Sequence, residues 1–599
     1  MESPVGRWVA GDSTMILAPS DSKRKGVPGM SDFTKKKTER TLMIKKDPVL
    51  FSVLVAVWLS FAIFIFLPLA KLLWMTFFVD GKLSFANLAN ILGRKYNVRA
   101  LYGSLILATA VSAAGTFLGY IFALAVTRTS LPKPLKWLLG AVTILPLISP
   151  PFTSSISLTL ALGPNGMLLK AFGIENLNIY GFLGTWMSET LTYFPVAFMV
   201  ITAILSTMTA NLDDAALSLG ASTRRMFRTI TVPLSYPGIG NSFLLLFGAS
   251  LADFATPLIL GGHTFPVLPT EAYLLITGMF DLKGGSTLSF LLLVPALAVF
   301  LIQRALIGKK SYVSVTGKNG ARSEFARLPK ELSVIITIVC TFVVALILYL
   351  YFIILWGSVV KVWSVNNSFT LDHYRYVFAH GKKAITDTLT IALYSTVLGS
   401  LLAVVIGYVS QRKKFFGQRF FEFSSMLNYA LPGTVVGIAY IIAFNERPIL
   451  LTGTMSILVA AYVFRYYATG IRSVIASLQQ IDPALEEASL SLGAGTVRTF
   501  THVTIPLIVP AVLAGMRYIF IHCMTAISAT IFLVSVRWTL LTTRILESMT
   551  ELQFSQASAF SIVLIIIVFA ADALMLFLLR LSTSKFNRPQ ETSYAIVST

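Results

Sequence analysis

A chain of 599 residues, 55 % hydrophobic and 13 % charged, with a mean hydropathy of +0.76, is excluded from the ordinary water-soluble classes. Its formal charge of +21 does not point to nucleic acid, because Lys and Arg fall mainly in short stretches between apolar runs and so report membrane topology. Two cysteines, Cys340 and Cys523, both inside apolar runs, form no disulfide framework and are expected to pack.

In chain order, residues 1–48 are polar, lack the apolar core of a signal peptide and are expected to form a disordered, basic cytoplasmic tail. Its Lys35-Lys36-Lys37 and Lys45-Lys46 clusters are a positive-inside signal, with contact to anionic membrane lipid as a further reading. Residues 49–310 hold six apolar runs, near 49–78, 101–127, 136–161, 187–208, 238–262 and 286–307, with a polar loop, 212–234, between the fourth and fifth. A cytoplasmic connector, 311–331, carries Lys318, Arg322, Arg327 and Lys330. Residues 332–585 repeat the count, with runs near 332–357, 384–410, 421–444, 452–477, 507–536 and 559–581 and a polar loop at 485–507; residues 586–599 are a C-terminal tail. Six and six spans put both tails, both polar loops and the connector on one side. That side also gathers Arg128, Lys133, Arg412, Lys413 and Lys414, so the positive-inside rule makes it the cytoplasm. The expected fold is all-α: a polytopic membrane protein of about twelve transmembrane helices in two parallel six-helix repeats.

The two polar loops are copies. Residues 214–237, DAALSLGASTRRMFRTITVPLSYP, align without a gap on 487–510, EASLSLGAGTVRTFTHVTIPLIVP, at a constant spacing of 273. Asp214 meets Glu487, Ala215 meets Ala488 and Gly220 meets Gly493; further on, Arg225 meets Arg498, Phe227 meets Phe500 and Pro233 meets Pro506. An acidic start, a Gly joint and a short helical run ending at Pro predict a helix–Gly–helix knob exposed on one membrane face. The repeat is wider than the knobs: Gly115 answers Gly399 and Arg128 answers Arg412, at a spacing of 284. Two parallel six-span units imply a pseudo-two-fold axis along the membrane normal, with a path for solute between them.

No phosphate loop of the G-x-x-x-x-G-K-[ST] type occurs: Gly308-Lys309-Lys310-Ser311 has Gln303 where the first Gly belongs. Any ATP is then hydrolysed on a partner. Five scattered histidines show no metal-ligand spacing and no Ser/His/Asp set can be placed, which argues against a membrane-embedded enzyme and leaves no expected metal site. The rival of a different class is a secondary transporter, which needs no partner but has no use for duplicated knobs.

Both knobs resemble the cytoplasmic loop, E-A-A, three residues, then G, of the integral-membrane subunits of binding-protein-dependent ABC importers. The departures are Asp214 for Glu in the first copy and Ser489 for the second Ala in the other. The resemblance implies the type I ABC importer permease fold in a bacterial inner membrane, with both termini cytoplasmic. It implies that the knobs are coupling helices docking on two ATPase subunits, which carry the ATP and Mg while this chain carries no cofactor, and that a periplasmic solute-binding protein delivers the solute. The stretches PNGMLLKAFGIENLNIYGFLG (164–184), SLADFATPLILGG (250–262), LTGTMSILVAAYVFRYY (451–467) and MTAISATIFLVS (524–535) are similar to fused two-halves permeases for ferric iron and aminoethylphosphonate. Ferric iron is the favoured solute on that resemblance; aminoethylphosphonate or another phosphorylated small molecule, thiamine and polyamine stand as alternatives.

Charges deep in apolar spans are candidates for the solute pathway. Asp253 lies in the fifth span, and Glu189 and Tyr193 share one face of the fourth. In the second half Arg465 stands with Tyr466 in the tenth span and Arg517 in the eleventh. Hard oxygen ligands such as Asp253, Glu189 and Tyr193 suit a ferric cation, whereas Arg465 and Arg517 suit a phosphorylated anion. The competing reading at each position is an intramembrane ion pair, Asp253 with Arg465 included, or a satisfied contact between helices. Arg472 is expected to snorkel to the cytoplasmic end, and His522 beside Cys523 and Met524 is expected to pack.

Overall fold

The computed structural model describes residues 48–164, 166–174, 178–208, 210–307 and 328–586. The N-terminal tail, most of the connector and the C-terminal tail lie outside the described residues.

The first half runs α1 (Pro48–Phe77), α2 (Lys95–Arg128), α3 (Lys133–Ile148), α4 (Thr153–Leu162), α5 (Phe182–Thr207), α6 (Ala210–Ser218), α7 (Thr223–Leu251) and α8 (Leu282–Ile307). The second half repeats it as α9 (Lys330–Ser358), α10 (Lys382–Arg412), α11 (Gln418–Ala430), α12 (Gly433–Phe444), α13 (Met455–Gln480), α14 (Ala484–Ser491), α15 (Thr496–Thr525) and α16 (Phe554–Phe586). Among the described residues nine helices are long and apolar enough to cross a membrane, and two further spans are bent pairs. The twelfth, α13, falls outside that class because it carries Arg465 and Arg472, yet it stands 273 residues after α5 from end to end.

Two expected features are corrected. The third span of each half is not a straight rod: α3 meets the segment opened by α4 at 102°, and α11 meets α12 at 104°. The breaks fall at Pro150-Pro151 and at Leu431-Pro432, where proline removes a helical N–H and bars its predecessor from the α region. The fifth spans are also interrupted. α7 stops at Leu251, and Asp253 Oδ1 then accepts from the backbone N–H groups of Ala255 (3.1 Å) and Thr256 (3.4 Å), capping a new short turn; α15 stops likewise at Thr525.

Within each half the second span is the hub. α2 packs on α5 and α7, and α10 on α13 and α15. Apolar burial drives little association where lipid is equally apolar, so close packing needs small residues at the crossings. Such residues are in place: α2 buries Gly103, Ser104, Ala108, Ser112, Gly115 and Gly119, and α13 meets α15 so closely that a Cβ on Gly515 would lie 3.0 Å from Gly470 Cα.

The first span of each half crosses to the other. α1 packs on α12, with Trp58 stacked on Phe420 (5.6 Å) and the Tyr440 hydroxyl donating to the Phe64 carbonyl (2.8 Å). α9 packs on α2, α3 and α4, and its Tyr351 hydroxyl is hydrogen-bonded to the Ser149 hydroxyl at the break of the first half. This exchange clasps the halves around the interface where the bent spans converge.

Candidate functional site

The knobs share the backbone hydrogen bonds of their glycine turns. α6 and α14 each end on a glycine in the left-handed region, Gly220 (φ +78°) and Gly493 (φ +83°). Gly220 N–H donates to Leu217 O (2.9 Å) and Ala221 N–H to Ala216 O (3.0 Å); Gly493 N–H donates to Leu490 O (3.0 Å) and Ala494 N–H to Ser489 O (3.1 Å). This is the glycine-terminated helix end that satisfies the last carbonyls and turns the chain sharply. Nothing lies within 4 Å of where a Cβ would stand at either glycine, so backbone conformation alone requires them.

Among the expected knob residues, Asp214, Ala215, Arg225 and Pro233 are exposed in the first copy, as are Glu487, Ala488 and Arg498 in the second. Pro506 is half-buried; Phe227 and Phe500 are half-buried supports, Phe500 resting 4.6 Å from the Tyr408 ring. Two features went unread in the sequence. The carboxylate that anchors each knob is one residue earlier than the motif acid: Asp213 pairs with Arg128, both side chains 2 % exposed. Glu486 pairs with Arg412 at 3.0 Å and also accepts from the Thr504 hydroxyl (3.1 Å). The signal was present as acidic doublets, Asp213-Asp214 and Glu486-Glu487, matched to Arg128 and Arg412 in the second span of each half. The other feature is the apolar tip. Leu219 and Leu492, immediately before the glycines, are each 88 % exposed, an unusual state for leucine and the same in both copies.

Between the halves, where the bent and interrupted spans meet, lies a cavity of about 300 Å³. The first half contributes Tyr193 and Asp253; the second contributes Arg465, Tyr466 and His522. Asp253 Oδ2 accepts from the Tyr193 hydroxyl at 3.1 Å. Arg465 donates from Nη1 to the Leu431 carbonyl at the α11–α12 break (2.9 Å) and lies over the Tyr466 ring at 5.7 Å. Asp253 and Arg465 thus share the cavity without forming an ion pair among the described residues.

Two expectations change. Arg517 does not line the cavity; it is held by Asp572 of α16 through both carboxylate oxygens, the second at 2.8 Å. Glu189 is buried behind the cavity wall, where Oε2 accepts from the Ser250 hydroxyl and Oε1 has no hydrogen-bond partner among the described residues. Arg472 is exposed and also borders the cavity, its guanidinium 5.2 Å from the Tyr429 ring centre. His522 packs between Tyr518 (4.0 Å) and Tyr466 (5.6 Å), and no group of three metal-ligating side chains occurs among the described residues. Cys340 and Cys523 are buried free thiols.

The spacing of 273 maps one wall on the other. Glu189 becomes Tyr462, Thr192 becomes Arg465, Tyr193 stays tyrosine as Tyr466, Ser250 becomes Cys523 and Asp253 becomes Ala526. The acids belong to the first half and the cations to the second.

The family of binding-protein-dependent transport system inner membrane components matches this chain twice, over residues 115–312 and 395–588. The ferric transport system permease protein FbpB of Actinobacillus pleuropneumoniae is 34 % identical over 541 residues, 88 % of this chain and 78 % of that one. The putative ferric transport system permease protein FbpB 1 of Haemophilus influenzae is 36 % identical over 500 residues, 81 % of this chain and 78 % of that one. The putative 2-aminoethylphosphonate transport system permease protein PhnV of Salmonella paratyphi A is 27 % identical over 237 residues, 38 % of this chain and 88 % of that one. The two matched segments coincide with the two structural repeats, and this chain therefore belongs to the inner-membrane components of binding-protein-dependent transport systems, a multi-pass ABC importer permease with two halves fused in one polypeptide.

Proposed function

We propose that this chain supplies both halves of the membrane pathway of an ATP-driven importer, with ferric iron as its solute. The observation that carries the reading is the pair of matching, leucine-tipped knobs, Ala210–Ser218 with Gly220 and Ala484–Ser491 with Gly493, together with one cavity between the halves. Two identical apolar tips suit two copies of one partner, and two ATPase subunits are that partner in this reading. Because Asp213–Arg128 and Glu486–Arg412 tie each knob to the end of a second span, a displacement of the knobs is passed to the hub helix of each half. Closing of the ATPase pair on ATP then drives the halves between inward-open and outward-open states, while a periplasmic binding protein delivers solute to the face opposite the knobs. The knob face is the cytoplasmic one, with both termini on that side.

Iron is favoured by the similarity to ferric permeases along most of the chain. Aminoethylphosphonate is the second reading, favoured by Arg465 in the cavity wall. The test is uptake into proteoliposomes holding the permease with its ATPase, given loaded binding protein outside and ATP inside. ATP-dependent accumulation of radiolabelled iron is expected. Accumulation without the ATPase, driven by an ion gradient, would make the chain a secondary transporter; accumulation of aminoethylphosphonate instead of iron would move the substrate to the second reading.

A further inference from the structure

The cavity wall contributed by α13 holds two guanidinium groups, Arg465 and Arg472. Seven residues apart on one helix, they share a face two turns apart, roughly 10.5 Å along the axis. Each lies over a tyrosine ring, Arg465 over Tyr466 and Arg472 over Tyr429, an arrangement that holds the planar fork in a fixed plane. Arg465 donates from Nη1 to the Leu431 carbonyl, and neither arginine has an ion-pair partner among the described residues.

The carboxylate in the same lining is Asp253, and both its oxygens are engaged, by the Tyr193 hydroxyl and by the N–H groups of Ala255 and Thr256. The other nearby acid, Glu189, is turned to Ser250 behind the wall. Fixed cations therefore outnumber fixed anions two to one in the lining. Arg465 is half-buried and Arg472 exposed at the cavity, and a concave lining of that sign disfavours a bare trivalent cation and favours an oxyanion. The device is one-sided: the positions 273 residues earlier are Thr192 and Met199, so the first half offers no cation at either level.

We propose that α13 is an oxyanion ladder, in which a phosphate-type oxyanion of the solute engages Arg465 and then Arg472, so that iron crosses as an oxyanion complex and not as the bare ion. The proposal rests on the permease reading of the same cavity and names the chemical form of the cargo. Guanidinium forks donate to such oxygens in pairs, which a lysine ammonium does less well.

The test uses the full permease with its ATPase and binding protein in proteoliposomes, supplied with radiolabelled iron and radiolabelled inorganic phosphate, and in a separate arm with labelled aminoethylphosphonate. Phosphate label is expected to enter with iron in a fixed ratio. Arg472→Gln is expected to lower entry of both labels at least tenfold, with Arg472→Lys retaining more than Arg472→Gln. Co-elution of each variant with the ATPase on size exclusion establishes that it is folded. Iron entering at the wild-type rate in both Arg465→Gln and Arg472→Gln, unaccompanied by label, overturns the ladder and leaves the iron reading standing. Entry of aminoethylphosphonate in place of iron, lost in the same two variants, overturns iron as cargo and supports the ladder. ATP-dependent entry of no tested solute in the wild type overturns both.

Discussion

The two halves agree where they face the knobs and differ where they face each other. Gly220 and Gly493 have the same left-handed backbone, Leu219 and Leu492 the same exposure, and Arg128–Asp213 and Arg412–Glu486 the same connection. At the cavity the same spacing of 273 pairs Asp253 with Ala526, Glu189 with Tyr462 and Thr192 with Arg465. A partner present in two copies holds two surfaces to one shape. A single small solute on the pseudo-axis imposes no such symmetry, so one wall is free to carry acids and the other cations.

The anchoring pairs give the largest expected effect and also the sharpest difference between halves. Asp213→Asn breaks the buried Arg128–Asp213 ion pair, a change worth about 3–5 kcal/mol, and should lower the melting temperature of the purified protein strongly. Glu486→Gln should cost less, about 1–3 kcal/mol, because the side chains of its pair are 9 % and 12 % exposed and not 2 %. Equal shifts would remove that distinction.

Leu219→Ser and Leu492→Ser should leave melting unchanged, since both side chains are already in solvent. If each tip is buried by the ATPase, its loss forfeits about 1.5–3 kcal/mol of docking, or roughly 10- to 100-fold in affinity at that knob. Co-purification of the ATPase measures it, and undiminished retention in the double variant would remove the tips from the interface.

Gly220→Ala and Gly493→Ala place a side chain in a left-handed conformation at about 1–2 kcal/mol without steric contact. Stimulation of ATPase activity by loaded binding protein should fall to a similar extent in both variants. A response confined to one half would show that the knobs, though alike in shape, are not alike in use.

The smallest effect probes a local difference. Ser222 Oγ accepts from the Arg225 N–H at 3.3 Å, capping the helix after the joint, whereas Gly495 has no side chain to do so. Ser222→Ala should loosen that turn by about 0.5–1 kcal/mol, seen as faster amide exchange over Thr223–Met226. Gly495→Ser should slow exchange over Thr496–Thr499.

Local signals in the chain were enough for the duplicated architecture, the helix–Gly–helix knobs and the parallel halves, because glycine joints, apolar runs and a constant spacing are properties of neighbours in sequence. Asp253, Tyr193, Arg465 and Tyr466 were legible as candidates because a polar group in an apolar run stands out. What those groups touch was not legible. Arg517 finds Asp572 55 residues away, Arg128 finds Asp213 85 residues away, and Asp253 and Arg465 meet the same cavity without pairing. A helix pattern gives a residue's face but not which helix that face meets. The prolines at 150–151 and 432 mark where the 102° and 104° bends fall, but that Pro151, Leu431 and Arg472 come to one cavity is set by how spans from both halves pack. Tertiary structure therefore decided which charges are committed to the scaffold and which line the cavity.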